Sequence, residues 1–257
     1  MKKVLITGGR TNDYIDEVMK ITNMSSGSIA IELAKYFLED SYDVTLMLTR
    51  NIKFDIVSPR LKLVRFETTD ELLEAIKEES KQKYDIIIHS AAVADYKPEF
   101  SFRAEDMAKE LTNIALLFHT TQMTVEEVEK AILNRLTNPK CKVNDETKIS
   151  SVEPNLTVKL GLTPKIIASL RELFPDAYIC GFKLLENVPE QELVDAAMKQ
   201  LDKCKTNLVF ANDLAELRKG NHSRLVVAPK GYNGVKVDGA YGIFNLIKIA
   251  TGGFECD

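Results

Sequence analysis

"KKVLITGGRTNDYIDEVMKITNMSSGSIAIELAKYFLED" (residues 2–40) is the stretch that decides the fold of this 257-residue chain. It opens with an apolar run of strand length that stops at Gly8 and Gly9. It closes with a run in which Ile29 and Leu33 lie on one face of a helix-periodic pattern. The residues in between are polar and rich in turn formers. A strand, a glycine turn and an amphipathic helix in this order predict the opening of a Rossmann-like unit.

The alternation of strand-length apolar runs and helix-periodic stretches continues along the chain. Further strands are predicted in "YDVTLMLTR", "LKLVRFET", "YDIIIHSAAVA", "NLTVKLGL", "AYICGFKLL" and "NLVFAND", and helices in "TDELLEAIKEESK", "TPKIIASLREL" and "PEQELVDAAMKQLDKC". Strands joined by helices at this spacing require right-handed crossovers in a parallel sheet. The sequence therefore predicts an α/β fold, a Rossmann-like, mostly parallel sheet with helices on both faces.

Two segments depart from this alternation. Roughly residues 100–145 contain two amphipathic patterns, "AEDMAKELTNIALLFHTT" and "TVEEVEKAILNRL", and we interpret them as a helical insertion. The C-terminal "SRLVVAPKGYNGVKVDG" predicts a β-hairpin with Asn233 and Gly234 as its turn, followed by a last helix, "GIFNLIKIAT". We expect residues 1–257 to form a single domain that carries the insertion.

The composition limits the classes of partner. Hydrophobic residues at 45% and charged residues at 28% are ordinary for a soluble globular protein, and a net charge of −4 provides no positive surface for nucleic acid or an anionic membrane. The apolar run behind the N-terminal lysines is too short for a signal peptide or a transmembrane helix, so we expect a cytoplasmic protein. Four cysteines without a C-x-x-C pair argue against a zinc site or a disulfide framework. Small molecules and a second copy of the chain are the expected partners.

The loop after the first predicted strand is a candidate anion site, because ligands of open parallel sheets bind beyond the carboxyl ends of the strands. Ser25, Ser26 and Gly27 precede a helix, where backbone N–H groups can bind a phosphate. The alternative is that these residues only cap the helix. Asn23 can donate to a developing oxyanion without adding charge, although an asparagine is equally suited to a turn.

A second candidate loop is "HSAAVADYKPE" (residues 89–99). Ala91 and Ala92 leave room for a base or ribose against the backbone, and Asp95 can accept from a hydroxyl or hold a metal, but small residues also serve helix packing. The three histidines have no metal spacing, so we expect core or surface roles for them. Six lysines are candidates for a polyphosphate contact, of which one or two are expected to touch a ligand: Lys148, Lys159, Lys165, Lys183, Lys199 and Lys203. The residues alone thus predict a nucleotide- or phosphate-binding α/β protein and leave its reaction open.

Several motifs together resemble those of phosphopantothenate–cysteine ligases. "LITGG", "ITNMSSG", "AAVADY", "KISS", "LTVKL", "TPKII", "GFKLLE" and "AND" occur in the order found in that family, and the resemblance covers nearly the whole chain except roughly residues 100–145. It implies a stand-alone nucleotide-binding ligase domain of coenzyme A biosynthesis. In the implied reaction, the carboxylate of 4'-phosphopantothenate attacks the α-phosphate of CTP and expels pyrophosphate, and the amine of L-cysteine then displaces CMP to form the amide. Mg²⁺ is implied as the ion that neutralises the triphosphate.

The resemblance also assigns roles to individual residues. Asn23 of "ITN" would stabilise the acyl-nucleotidate and Lys148 of "KISS" would close over the triphosphate, so both are implied as catalytic. Binding of phosphate or substrate is implied for Gly8, Gly9, Ser25, Ser26, Gly27 and Asn212. Binding of the nucleotide is implied for Ala91, Ala92, Asp95, Gly181, Phe182, Lys199 and Lys203. A homodimer is implied as well, with the hairpin around Tyr232 as its expected contact.

Two departures from the family pattern bear on these roles. "GFKLLE" resembles eukaryotic members, which use ATP, more than bacterial members, so CTP and ATP both stay open. Ala30 stands where the family has the second glycine of its S-S-G-x-x-G motif.

Two other functions are consistent with parts of the sequence. "VLITGG" and "HSAA" also occur in NAD(P)-dependent short-chain dehydrogenases, but these enzymes need a Tyr-x-x-x-Lys pair on a helix, and the match from Tyr232 to Lys236 contains the predicted hairpin turn. A non-catalytic nucleotide-binding protein that kept only the fold is the other alternative.

Overall fold

The computed structural model describes residues 2–121, 123–143, 148–150, 152 and 154–252. The chain divides into two compact units. The first unit comprises Met1–Thr11, Asn23–Val93 and Pro164–Asp257, and the second comprises Asn12–Thr22 and Ala94–Thr163.

Strands and helices alternate along most of the described chain. In chain order the strands are β1 (Lys3–Gly8), β2 (Asn12–Tyr14), β3 (Lys20–Thr22), β4 (Asp43–Thr49), β5 (Leu61–Phe66), β6 (Ile86–His89), β7 (Tyr96–Arg103), β8 (Leu156–Leu162), β9 (Tyr178–Leu185), β10 (Leu208–Asp213), β11 (Ser223–Ala228) and β12 (Gly231–Asp238). The helices are α1 (Ser28–Glu39), α2 (Thr69–Glu79), α3 (Ala104–Thr120), α4 (Val125–Thr137), α5 (Ile166–Leu173), α6 (Glu190–Cys204), α7 (Leu214–Arg218) and α8 (Gly239–Ala250).

The first unit is built on one sheet in the strand order β12-β11-β10-β9-β6-β1-β4-β5. Neighbouring strands from β5 to β10 pair in parallel, whereas β11 and β12 add on in antiparallel pairing. The parallel strands follow the order of a doubly wound Rossmann sheet, in which the chain moves outward from the first strand and then returns to its other side. The predicted Rossmann-like, mostly parallel sheet is confirmed.

Both faces of the sheet are covered because consecutive residues of its central strands are apolar, so that apolar side chains point to each face in turn. Val4 and Ile6 of β1 face α1 and α8, where they join a core that includes Leu33 and Phe37 of α1. Leu5, between them, faces the opposite side, in a core shared with α2 and α5. A third apolar cluster joins α6 to β10 and β11. This two-sided burial is typical of parallel strands and holds their carboxyl ends at fixed positions.

The C-terminal hairpin is present, but its turn is not where the sequence predicted it. Strands β11 and β12 are joined at residues 229–230, and Asn233 and Gly234 lie inside β12, where the register shifts by a bulge. Gly234 has a φ of 86°, a left-handed value that a bulge needs as much as a turn does. Pro229 suits a two-residue connection because its φ is already fixed. The Asn-Gly pair therefore correctly indicated left-handed backbone, but the prediction that it forms the turn was wrong.

The second unit contains the helices predicted for the insertion. Helix α4 begins with a capping box, in which Thr124 accepts from the Glu127 N–H and Glu127 accepts from the Thr124 N–H. Helix α3 packs Met107 against Phe100 and Phe102 of β7. Strands β7 and β8 pair antiparallel, and β2 and β3 form a small separate hairpin.

The prediction that β8 continues the parallel sheet was wrong, because the partner of β8 is β7, a strand that the sequence analysis did not identify. The insertion predicted at roughly residues 100–145 lies inside the second unit, which also includes β2, β3 and β8. That residues 1–257 act as a single domain stays a prediction.

Candidate functional site

The carboxyl ends of β1 and β6 mark the point where the strand order of the sheet reverses. From β1 the chain proceeds to β4 and β5 on one side, and it returns through β6 on the other side. Loops that leave such a pair of strands diverge, and the crevice between them is where doubly wound sheets bind ligands. The residues at this crevice are 8–10, 23–28 and 89–93, all in the first unit.

Gly8 and Gly9 are required by close packing at the end of β1. A methyl group on Gly8 would lie 2.2 Å from the Cβ of Ala30, so the glycine lets α1 approach the strand directly. Gly9 has a φ of 86°, and a methyl group there would lie 2.3 Å from the Oγ1 of Thr49. Ala30, which replaces a family glycine, is thus the residue that fills the space above Gly8.

The loop after Gly9 is held by hydrogen bonds on both sides. On one side, Thr49 Oγ1 accepts from the Arg10 N–H at 2.8 Å and donates to the Arg10 carbonyl at 2.7 Å. On the other side, the Ala92 N–H donates to the Gly9 carbonyl at 2.7 Å, and the Thr11 N–H donates to the Ala92 carbonyl at 3.3 Å. The backbone of this loop is therefore fixed between its two neighbouring strands.

Helix α1 begins without a side-chain cap. Its N-cap residue is Gly27, with a φ of 72°, and no side chain accepts from the first-turn N–H groups as a cap. A methyl group on Gly27 would lie 3.1 Å from the Gly9 nitrogen, so the helix start lies directly against the end of β1. The first turn also contains no acidic residue. Its uncapped N–H groups and the positive end of the helix dipole can hold an anion at this position.

The two serines do not serve as the helix cap that the sequence analysis kept as an alternative. Ser26 Oγ donates to Ser28 Oγ at 3.2 Å and lies 3.4 Å from the Ser28 nitrogen, which is a weak local contact outside the capping position. Ser25 is half-buried and Ser26 is exposed. Of the three residues considered for capping, Gly27 is the N-cap and neither serine occupies that position, whereas phosphate binding by Ser25, Ser26 and Gly27 stays a prediction.

Asn23 lies beside the second loop of the crevice. It is exposed, and its Nδ2 lies 3.5 Å from the Ala92 carbonyl, at the limit of a hydrogen bond. The structure thus places Asn23 next to the loop that contains Ala91 and Ala92, and the roles of these residues toward a ligand stay predictions.

His89 is the last residue of β6 and lies directly before this loop. The sequence analysis assigned it only an unspecific core or surface role. Its Nδ1 lies 2.8 Å from the Oγ1 of Thr7, and the same oxygen accepts from the Ala91 N–H at 3.3 Å. Burial lowers the pKa of His89 to about 4, so the imidazole is neutral near pH 7. A buried Thr-His pair in adjacent strands gives no periodic sign in a sequence; only the pairing of Thr7 with His89 across β1 and β6 reveals it.

Gly181 and Phe182 both lie on β9, in the packed interior of the first unit. A methyl group on Gly181 would lie 2.6 Å from the Nε2 of Gln200, so this glycine admits α6 closely onto the sheet. The ring of Phe182 packs on Phe210 with centroids 5.3 Å apart. These contacts explain both residues by packing, and contact with a nucleotide base stays a prediction.

Lys199 and Lys203 are exposed on α6, toward its C-terminal end. The helix begins beyond the carboxyl end of β9 and returns to the start of β10, and its 15 residues span about 22 Å. Lys203 therefore lies near the opposite edge of the sheet from the crevice. The structure does not bring it to the other candidate residues, and this placement counts against a phosphate contact by Lys203.

Asn212 is buried near the carboxyl end of β10 and lines a cavity of about 240 Å³. The neighbouring Asp213 caps α7 and also accepts from the Val188 N–H at 3.0 Å. These backbone N–H groups hold the pKa of the Asp213 carboxyl below its usual range. Ion pairs between Lys236 and Glu190 and between Lys219 and Glu216 line the cavity. Asn212 thus faces a polar cavity, and substrate binding there stays a prediction.

Lys148 and Asp95 belong to the second unit. Lys148 is exposed, and Ile149 beside it is buried. Asp95 is exposed, and its carbonyl accepts from the Thr163 N–H at 3.1 Å. Their roles toward a nucleotide stay predictions.

Features of other protein classes can be checked within the residues that the structure describes. Tyr232 and Lys236 lie on strand β12, which is not the helical pair that a short-chain dehydrogenase requires. In the described ranges, His, Cys, Asp and Glu side chains form no group of three or more that could hold a metal ion. Cys141, Cys180 and Cys204 are free thiols, while Cys256 is outside the described residues. Within that same part of the chain, each helix is too short or too polar to cross a lipid bilayer.

Comparisons with known proteins identify relatives of the chain. The model of the DNA/pantothenate metabolism flavoprotein C-terminal domain matches residues 1–137. The coenzyme A biosynthesis bifunctional protein CoaBC of Thermococcus kodakarensis is 32% identical over 83% of this chain and 41% of its own length. CoaBC of Methanocaldococcus jannaschii is 29% identical over 93% of this chain and 47% of its own length. The chain thus spans less than half the length of these relatives.

A solved structure agrees with the fold. The crystal structure of the DNA/pantothenate metabolism flavoprotein from Streptococcus pneumoniae is 28% identical and superposes with a TM-score of 0.76. The match covers 99% of this chain and 100% of the other. The similarity therefore extends through both units, including the insertion.

Proposed function

Because this chain belongs to the family of the DNA/pantothenate metabolism flavoprotein C-terminal domain, we propose that it is a phosphopantothenate–cysteine ligase. It would join 4'-phosphopantothenate and L-cysteine into 4'-phosphopantothenoylcysteine at the expense of a nucleoside triphosphate. Its CoaBC relatives are coenzyme A biosynthesis proteins, which supports the proposal. The observation that carries it is the uncapped start of α1, which lies against Gly9 with Asn23 close by.

The start of α1 would bind a phosphate group of a substrate. Its first-turn N–H groups lack a side-chain cap, and Gly9 and Gly27 let the helix start lie directly against the end of β1. Ser25 and Ser26 would add hydroxyl donors. Because these groups are neutral, they can hold a phosphate dianion without a permanent countercharge in the site.

Asn23 would act on the acyl-nucleotidate. In the first step a carboxylate oxygen of 4'-phosphopantothenate forms a bond to the α-phosphorus, and the bond to pyrophosphate breaks. In the second step the cysteine nitrogen attacks the acyl carbon, the nucleoside monophosphate leaves, and the amine loses a proton. The side-chain amide of Asn23 can donate to the oxygen that gains charge in the second step.

Lys148 would stabilise the triphosphate and the departing pyrophosphate as a mobile point charge. Ala91, Ala92, Asp95, Gly181 and Phe182 are proposed for the nucleotide, and CTP and ATP are both candidates. The assignments of Lys199 and Lys203 stay the weakest, because both residues lie toward the C-terminal end of α6, the end that returns to the start of β10.

Mg²⁺ would neutralise the triphosphate when bound. Since the described residues contain no acidic cluster that could serve as its cage, phosphate oxygens and water would supply most of its ligands, as Mg²⁺ commonly requires. We also propose a homodimer and a cytoplasmic location, and light scattering tests the first of these.

The test is pyrophosphate release by the purified protein with Mg²⁺, 4'-phosphopantothenate and L-cysteine, in parallel with CTP, ATP or no nucleotide. Release that requires 4'-phosphopantothenate and prefers one nucleotide is the expected result, and mass spectrometry should detect the amide product. The absence of pyrophosphate release with both nucleotides would overturn the ligase proposal and leave a nucleotide-binding protein as the alternative.

A further inference from the structure

Asp16 organises the turn between β2 and β3. The N–H groups of Ile15 and Asp16 both donate to the Met19 carbonyl, at 2.9 and 3.3 Å. The carboxylate completes the turn, because its Oδ1 accepts from the N–H groups of Val18 and Met19 at 2.8 and 2.6 Å. One oxygen of Asp16 is therefore fully engaged within its own loop.

The other oxygen reaches a distant part of the same unit. Oδ2 of Asp16 accepts from the Ile149 N–H at 3.0 Å, although the two residues are 133 positions apart in the chain. The side chain of Ile149 is only 4% exposed, so this part of the segment is packed. The neighbouring Lys148 is exposed. Its backbone is thus anchored at the next residue, while its ammonium group faces solvent.

The charge of Asp16 suits this contact. Hydrogen bonds from the N–H groups of Met19 and Ile149 are the main causes that hold the pKa of Asp16 below its usual value, with smaller contributions from Val18 and the positive charge of Lys148. An ionised carboxylate makes stronger hydrogen bonds than a neutral acceptor, so the contact is charge-assisted.

We propose that Asp16 is a positioning residue for Lys148, which it holds against the β2–β3 turn through the N–H of Ile149. The proposal rests on the proposed function, in which Lys148 contacts the triphosphate. Strand β3 continues directly into Asn23 in the sequence. One carboxylate therefore connects the turn that precedes Asn23 with the segment that carries Lys148.

Asp16→Asn removes this contact selectively. The amide oxygen of the asparagine can still accept from the two N–H groups of the turn, but its NH₂ group cannot accept from Ile149. Glu17→Gln is the matched control, because it removes the same charge from an exposed neighbour. We expect Asp16→Asn to slow pyrophosphate release on the order of tenfold, the effect of losing one hydrogen bond to a charged group, and Glu17→Gln to leave it unchanged.

A double-mutant cycle separates positioning from general structural damage. If Asp16 acts through Lys148, Asp16→Asn should have little further effect on a protein that already carries Lys148→Ala. Full additivity of the two losses would overturn the proposal.

Hydrogen exchange at the Ile149 amide provides a readout that needs no activity. We expect about tenfold faster exchange in Asp16→Asn and wild-type exchange in Glu17→Gln. Equal exchange in all three proteins would overturn the anchoring contact. If the wild-type protein releases no pyrophosphate, the proposed function fails, and the exchange result still decides whether Asp16 holds the segment.

Discussion

Helices α1 and α4 begin in opposite ways. At α4, Thr124 and Glu127 satisfy each other's backbone N–H groups, and Glu126 and Glu127 place negative charge in the first turn. At α1, Gly27 occupies the N-cap and has no side chain to act as a cap, the Ser28 N–H makes only a 3.4 Å contact with Ser26 Oγ, and the first turn contains no acidic residue. One helix satisfies its own N-terminus, and the other leaves it available.

The difference separates a start that stabilises its own helix from a start that we propose as a phosphate-binding site. A side-chain cap contributes about 1 kcal/mol to a helix, and α1 does without it. Helix α1 tolerates the omission because its other face buries Leu33 and Phe37 completely, whereas α4 has no fully buried residue in the described structure. Packing holds α1, and its first turn is left free for a ligand.

The largest effect is expected where the backbone at the start of α1 is most crowded. Gly9 and Gly234 both have a φ of 86°, but a methyl group meets Thr49 at 2.3 Å from Gly9 and meets nothing within 4 Å from Gly234. Gly9→Ala should cost about 3 to 5 kcal/mol, from backbone strain and overpacking together. Gly234→Ala should cost only the strain, about 1 to 2 kcal/mol. Urea unfolding measures both, and equal losses would contradict the close packing of Thr49 and Ile52 around Gly9.

Asn23→Ala should produce the largest loss of activity that does not depend on folding. The acyl-nucleotidate should still form, but its conversion to the amide should slow by about 10² to 10³, the usual effect of removing one donor to an oxyanion. Rapid-quench mass spectrometry measures both steps. Asn113→Ala, on the exposed surface of α3, is the control and should change neither. Normal amide formation in the Asn23 variant would remove this residue from the mechanism.

The sheet could be predicted from sequence because its signal is local and repeated. Runs such as residues 43–49 and 86–89 are mostly apolar and, apart from Asp43, buried, as is typical of parallel strands that are covered on both faces. Strands β2 and β3 were missed because each is only three residues long and mostly polar, and β7 was missed because it is mixed in character and its partner β8 is distant in the chain. The Asn233-Gly234 pair was misassigned for a related reason, since a left-handed glycine serves a bulge and a turn equally well.

The candidate site was partly predictable for a different reason. Gly8, Gly9 and Gly27 are visible in the sequence because glycine is needed wherever two backbones approach closely. The contact of Asp16 with Ile149 and the pair of Thr7 with His89 depend on pairing across long separations, which a single sequence does not encode locally. Resemblance to a family supplied what the residues alone did not, the choice of a reaction.

Adding charge to the first turn of α1 should move stability and binding in opposite directions. Ser28 is exposed there, and Ser28→Asp should stabilise the helix by about 0.3 to 1 kcal/mol through its dipole. The same carboxylate would occupy the anion position. Its repulsion of the phosphate should raise the KM of the phosphate-bearing substrate by roughly tenfold. Ser28→Asn has the same shape without the charge and should leave KM within about twofold. Thermal unfolding and steady-state kinetics test the pair, and a stabilised Ser28→Asp protein whose KM is unchanged or lower would contradict an open anion site.

The smallest effect compares the two helix starts directly. Thr124→Ala removes the capping box of α4 and should cost that helix about 1 kcal/mol, seen as about fivefold faster hydrogen exchange in its first turns, with no change in kcat/KM. Ser26→Ala should leave exchange in α1 nearly unchanged, because Ser26 makes only two weak contacts with Ser28, at 3.2 Å to its Oγ and 3.4 Å to its nitrogen, while kcat/KM should fall if its hydroxyl donates to a phosphate. Thr124→Ala should thus change stability alone, and Ser26→Ala should change activity alone. Faster exchange in α1 after Ser26→Ala would mean that the serine stabilises the helix after all, and the contrast between a helix start built for stability and one built for binding would then be lost.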